Sequence, residues 1–171
     1  QENNISTNSI NSNILKVPEF NENIKIEGEK LEGSKDIKIF GIYDPAENNF
    51  DLNMWSLTEA EKVRSSFKRI NKIELSNTAE QLFENTILSL SYPPSGMSDE
   101  EFLLLKINWM ILNKKVEIIE KFLKQNDTFP NKKKLIQYLV DNNIAKANIK
   151  EGCNNINFLD KNIKDPYLEK F

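Results

Sequence analysis

Apolar residues recur three or four positions apart through most of the chain after residue 55. Ala60, Val63 and Phe67 follow this spacing, which is typical of a helix that buries one face. Ser56 and Glu59 stand in front of them at the spacing of a capping box. The pattern predicts a first helix that begins near residue 57.

Capping residues and prolines divide the region that follows. Ser76 has the position of a cap for a second helix, which Tyr92-Pro93-Pro94 would stop. Ser98 and Glu101 form another capping box. The run 102–112 is apolar on nearly every face, so we expect a central helix buried between neighbours on both sides. Its expected core residues include Leu105, Trp109 and Ile111.

Short connections after this helix predict antiparallel helix pairs. The turn 113–115 joins the central helix to a partner helix, and a second pair covers 131–156. Asp165-Pro166 has the form of an N-cap with proline at the first helical position. Helix starts are therefore expected near positions 99, 131 and 165. The intervals between them are close to the period of roughly 34 residues that tetratricopeptide-like helix–turn–helix repeats have.

These elements predict an all-α fold of stacked antiparallel helix hairpins, a short α-solenoid with an extended, largely irregular N-terminal segment. Residues 56–171 would form the helical-repeat domain, either whole or as the N-terminal part of a longer array. Residues 37–55 would be an extended segment that caps the first helix. Residues 1–36 carry seven acids and four lysines and bury too little apolar area to offset chain entropy. We expect them to be a disordered or partner-bound tail.

Six large side chains at the two ends of the helical region are candidate partner contacts. They are Phe50, Met54 and Trp55 before the first helix, and Tyr167, Leu168 and Phe171 after the last helix pair. The first group either caps the first helix or faces a partner. The second group falls on one helical face, so we expect either that the array continues or that this end docks on another subunit.

The composition argues against catalysis. The chain has no histidine, one cysteine (Cys153) and five glycines without phosphate-binding spacing. Asp99, Glu100 and Glu101 are placed to interact favourably with the dipole of a helix N-terminus. We therefore expect no enzyme, no cofactor and no metal site. A small hydrolase with a lysine-assisted serine is the enzymatic alternative.

Charge and hydropathy limit the partners. Residues 37–171 carry nineteen acidic and nineteen basic side chains, and a neutral domain has no field that attracts nucleic acid. No run approaches the roughly 20 apolar residues of a membrane span. The expected partner is a protein or an extended peptide.

Four segments carry a resemblance to a known group of proteins. They are 50–55 (FDLNMW), Tyr92-Pro93-Pro94, 102–107 (FLLLKI) and 118–123 (IIEKFL). In this order they resemble uncharacterised alphaproteobacterial exported proteins with helical repeats, which implies an envelope location and no activity. Isoleucine, asparagine and lysine make up 65 of the 171 residues, a bias typical of AT-rich bacterial genomes.

The polar start at Gln1 is typical of a mature exported protein. We expect a periplasmic or exported protein after removal of a signal peptide, with a cytoplasmic location as the alternative. The predicted function is a non-catalytic protein-binding scaffold of the bacterial cell envelope. The alternative is a structural subunit of a larger envelope assembly, held by its N-terminal segment.

Overall fold

Helices account for all the regular structure that the computed structural model describes, which covers residues 38–159 and 165–170. The six α-helices are α1 Ala60–Ile70, α2 Asn77–Leu88, α3 Asp99–Leu112, α4 Val116–Gln125, α5 Lys132–Ala145 and α6 Ile149–Asn155. Three short 3-10 helices are Pro45–Asn48, Ile156–Phe158 and Leu168–Lys170, and the described residues contain no strand. The all-α prediction is confirmed. The predicted tail, 1–36, lies outside the described residues.

The predicted caps of α2 and α3 are present. The Ser76 hydroxyl accepts a hydrogen bond from the Ala79 backbone N–H at 3.4 Å, and the Ser98 hydroxyl accepts one from the Glu101 N–H at 3.1 Å. Each bond satisfies an N–H group that has no partner inside its own helix. Helices α2 and α3 therefore begin where the sequence predicts.

The capping box predicted at Ser56 is wrong, and α1 begins later than expected, at Ala60. Residues 52–57 form turns, and Glu59 is an N-cap without a side-chain hydrogen bond. The backbone just before α1 pairs with Ser95 instead, because the Ser95 N–H donates to Thr58 O and the Ala60 N–H donates to Ser95 O. Because residues 58–60 are bonded to Ser95, residues 58 and 59 are not helical and α1 begins at Ala60.

Helix α3 is central, but only part of its circumference is buried. Its buried residues are Phe102, Leu103, Lys106, Ile107, Trp109 and Met110. Leu105 and Ile111 are half-buried and Leu112 is 63% exposed, so the expectation of burial on nearly every face is wrong. Helix α3 packs against α4 and α5, and its Phe102 and Trp109 rings also contact Trp55 and Phe83. Trp109 lies in the core as expected.

The two helix pairs have matching spacing and matching connections. The interval from the start of α3 to the start of α5 equals the interval from the start of α4 to the start of α6, and α3 and α5 have the same length. After α3, the Lys114 N–H donates to Ile111 O and the Lys115 N–H donates to Met110 O. After α5, Ala147 and Asn148 repeat this pattern. Both are Schellman motifs, and Lys114 and Ala147 have φ angles of 53° and 58°.

An extended segment, residues 38–43, crosses the C-terminal end of α2, and we call it the strap. The Ile42 N–H donates to Leu88 O at 2.8 Å, and the Leu90 N–H donates to Tyr43 O at 3.0 Å. Gly41 fits here because it has no side chain, since a Cβ at this position would lie 2.7 Å from Leu88 O. The strap is therefore packed backbone to backbone.

Truncation of Ile107 to alanine should lower the free energy of unfolding by about 2–5 kcal/mol, because the side chain is fully buried. Leu112→Ala on the same helix is the matched control. It should change stability by less than about 0.5 kcal/mol, as for most exposed positions. Urea denaturation of both variants measures the difference, and equal losses would contradict the burial described for α3.

Replacement of Gly41 by alanine should destabilise the protein by about 1–3 kcal/mol, since the new methyl group meets backbone atoms that cannot move aside. Gly152→Ala is the control, because a Cβ there would have neighbours at an ordinary 3.6–3.7 Å. Within α6 that change should be neutral or stabilise by up to about 1 kcal/mol. Thermal denaturation of the pair tests the prediction, and a Gly41→Ala variant as stable as the parent would contradict it.

Candidate functional site

An open groove lies beside the α3–α4 and α5–α6 connections, and we call it the connection groove. Its two sections have volumes of about 450 and 500 Å³ and share Lys114, Val116 and Lys146. Ile111 and Tyr138 line the larger section, together with Asp141 and Asn142. The smaller section adds Glu84, Lys115, Glu117 and Ile118. The groove thus combines half-buried apolar side chains with charged groups.

The Schellman motifs explain why lysines meet at this place. Each motif ends its helix abruptly through a residue in the left-handed region. Lys114 occupies that residue after α3, and Lys146 is the C-cap of α5. The backbone at the ends of two neighbouring helices therefore positions both lysines at the groove.

The charged groups of the groove differ in how they are paired. Lys115 Nζ lies 3.1 Å from Glu80 Oε1 and 3.0 Å from Glu84 Oε2. Asp141 accepts a hydrogen bond from the Tyr167 hydroxyl. Within the described part of the chain, the ammonium groups of Lys114 and Lys146 have neither an ion pair nor a hydrogen bond. These two cations are free to meet a carboxylate from outside.

Glu84 connects the groove to the strap. It is 8% exposed, and its Oε1 accepts a hydrogen bond from the Tyr43 hydroxyl at 2.9 Å. Burial, together with this bond to a carboxylate, raises the pKa of Tyr43 to about 12. Glu84 therefore binds the strap through Tyr43 and the α3–α4 connection through Lys115.

A second notable group is the fully buried amine of Lys106. Its side chain is 1% exposed, and Nζ donates to Phe40 O at 2.7 Å and to Ser89 O at 3.3 Å. Nζ also lies 4.5 Å from the centre of the Phe102 ring. Burial lowers the pKa of Lys106 to about 7.

Sequence reasoning did not single out Lys106. The available signal was its register, because Leu103, Lys106, Ile107 and Met110 share one helical face. A lysine in the middle of an apolar face is rare unless it has partners inside the core. Its partners are backbone carbonyls of two non-helical segments. Every residue has a backbone carbonyl, so the residue types of these segments do not predict the contact.

Of the three candidate contacts before α1, Trp55 packs against the core. Phe50, Met54 and Trp55 are each half-buried. The Trp55 ring packs edge-on against Phe102 with centroids 5.9 Å apart, and it borders a pocket of about 100 Å³ that Phe67 and Phe83 also line. Trp55 thus packs on the core and leaves part of its ring exposed.

The candidate contacts after α6 separate from one another. Leu168 is 1% exposed and belongs to the core, so its side chain packs within this chain and presents no contact surface. Tyr167 is 41% exposed, and its bond to Asp141 places it next to the connection groove. Phe171 lies outside the described residues.

The end of the described chain is fixed by Asp165. Its Oδ1 accepts hydrogen bonds from the backbone N–H groups of Tyr167 and Leu168, at 2.7 and 3.2 Å, which is the predicted N-cap. Its Oδ2 pairs with Lys133 and accepts a hydrogen bond from Gln137 at 3.3 Å, both on α5. These bonds attach the segment to α5, although the helix that follows is a single 3-10 turn.

The acidic run at the start of α3 has a structural partner. Glu101 forms a two-pronged salt bridge with Arg64 of α1, at 2.6 and 2.8 Å. This bond is the first cause of the lowered pKa of Glu101. The residues that the structure describes contain no group of three or more His, Cys, Asp or Glu side chains that could hold a metal ion. No helix within them is long and apolar enough to cross a membrane.

Comparison with known proteins leaves the family open. No family model, no curated protein and no solved structure matches this chain significantly. The resemblance to exported helical-repeat proteins therefore stays a prediction.

Proposed function

We propose that the protein is a non-catalytic protein-binding scaffold of the bacterial cell envelope and that it holds its partner in the connection groove. The observation that supports this most is the lining of the groove. Apolar side chains lie beside two ammonium groups that have no partner within the described part of the chain. Such a surface suits a partner that supplies both apolar contact and negative charge.

The occupant we propose is a peptide segment with apolar side chains and at least one carboxylate. In the larger section of the groove, Lys114 and Lys146 face a single carboxylate, Asp141, which already accepts a hydrogen bond. Glu117 lies in the smaller section, beside Ile118. An acidic segment is therefore best accommodated on the Ile111 and Tyr138 side.

The proposed architecture is a short α-solenoid. Two features support it: the equal spacing of the two helix pairs, and the Schellman motif after α3 and again after α5. In a solenoid each unit contacts its neighbours, and equivalent connections line up along one edge. The connection groove would then lie along that edge. The envelope location is proposed from the sequence resemblance.

A photo-crosslinking amino acid at position 138 should form a discrete adduct with a partner protein in the native bacterium, because Tyr138 lines the groove. The same substitution at Tyr92, a half-buried aromatic residue away from the groove, is the matched control. The crosslinked partner peptide, sequenced by mass spectrometry, should carry Asp or Glu near the attachment point. Adducts of equal yield from both positions would contradict the proposal.

Charge reversal of two groove lysines then tests whether the occupant is acidic. With a synthetic peptide of the crosslinked sequence, Lys114→Glu together with Lys146→Glu should weaken binding at least about tenfold, since each like-charge contact is repulsive. Lys124→Glu changes an equally exposed lysine outside the groove and should leave the Kd within about twofold. Fluorescence anisotropy at two salt concentrations measures both, and the parent affinity should fall as salt rises. Unchanged affinity in the double variant would refute an acidic occupant.

A further inference from the structure

The strap closes over the amine of Lys106. Phe40 O, on the strap, and Ser89 O, after α2, are the two hydrogen-bond acceptors of Nζ. No carboxylate pairs with this amine in the part of the chain that the structure describes. A cavity of only about 10 Å³ adjoins it, room for about one water molecule. The strap therefore keeps bulk water away from the amine.

Loss of a proton from this amine costs no hydrogen bond. An ammonium group has three donors and a neutral amine has two, and the structure provides two acceptors for Nζ. The charged form, by contrast, loses its hydration, and its bonds to the two carbonyls replace only part of it. The Phe102 ring offsets only part of the remaining loss. The closed strap thus favours the neutral amine, and an open strap restores water to the charged one.

We propose that protonation of Lys106 acts as a release for the strap, so that the charged amine favours detachment of residues 38–43 from the helices. The remaining attachments of the strap do not involve this amine. They include the backbone bonds to Leu88 and Leu90, the bond from Asn126 Nδ2 to Gly41 O at 3.1 Å, the bond between Tyr43 and Glu84, and the contact of the Phe40 ring with Phe129. These contacts keep the strap closed for most of the time, and the proton adjusts the fraction that is open.

In the described contacts, none of the other charged groups near the strap bonds to Lys106 Nζ. Asp99 and Lys38 line the same small cavity with opposite charges, and the Lys38 N–H donates to Asp99 Oδ2 at 3.4 Å. Further along the strap, Glu84 and Lys121 contact Tyr43 and not Lys106. Apart from Lys106, the titratable side chains of the helices that face the strap in the described contacts are Glu84 of α2, Asp99 of α3 and Lys121 of α4.

The direction of the pH effect follows from linkage. The pKa of Lys106 is about 7 with the strap closed and near the ordinary 10.5 when the amine meets water. Opening therefore takes up a proton between these values, so the closed strap becomes more stable as pH rises from 7 towards 10.5. Tyr43 has the opposite effect on the closed strap, and only at higher pH. Because its pKa is raised, the closed strap loses stability through Tyr43 only above pH 10. The useful window is pH 6 to 9.

Hydrogen exchange of the Ile42 and Tyr43 amides tests the proposal, because both donate to Leu88 O. After correction for the intrinsic pH dependence of exchange, their protection should be about fifty-fold higher at pH 9 than at pH 7, and should change by only about twofold between pH 6 and 7. Low urea concentrations should leave these two rates unchanged, since local opening exposes little surface. Equal protection at pH 7 and pH 9 would overturn the proposal.

Two variants and one direct titration complete the test. Lys106→Met removes the titrating group and should abolish the pH dependence, whereas Lys124→Met, the same change at an exposed lysine of α4, should retain it. If Lys106→Met does not fold, the side-chain resonances of Lys106 in the parent protein decide. Their midpoint should lie near pH 7, and a midpoint near 10.5 would overturn the proposal, as would a pH dependence that persists in Lys106→Met.

Discussion

The hydrogen bonds of the buried Lys106 amine join two non-helical stretches of the described domain to the centre of α3. Two stretches without regular structure, the strap and the link between α2 and α3, bring backbone carbonyls into the interior at Phe40 and Ser89. A buried carbonyl without a donor is costly, and the N–H groups in the middle of a helix are already bonded within that helix. Lys106 supplies both bonds from the centre of α3. Its side chain is fully buried, so the lysine serves at once as core residue and donor.

The ends of the helices position the groove. Helices α3 and α5 both stop at a Schellman motif, and each connection turns the chain within three residues. Glycine is the usual residue at the left-handed position of this motif, yet Lys114 and Ala147 occupy it here. A residue with a side chain in this conformation is strained by about 1 kcal/mol or more. At Lys114 the strained position also carries one of the two unpaired cations of the groove.

Sequence patterns predicted the helix starts that depend on neighbouring residues. They were wrong where a helix start depends on backbone groups far away in the sequence. Ser76 and Ser98 cap helices because the cap and its donor lie three residues apart. Ser56 has the same pattern, but Ser95 pairs with the backbone at residues 58–60 and delays α1. The connection groove was not predicted, because no glycine marks either helix end. The sequence pattern makes Leu168 a candidate partner contact, and the bonds from Asp165 to α5 place it in the core instead.

Glu84 links the strap to the groove through a single carboxylate. One oxygen accepts the Tyr43 hydroxyl, and the other lies 3.0 Å from Lys115, beside the unpaired Lys114. When the strap detaches, Glu84 loses the tyrosine and keeps only the lysine. A peptide of the proposed kind that also extends into the smaller section, where Lys115 lies, would place a carboxylate in competition with Glu84 for that ammonium group. The strength of that competition depends on what else holds Glu84. Because such coupling is reciprocal, a groove occupant that draws Lys115 away from Glu84 must also alter how firmly Tyr43, and with it the strap, is held.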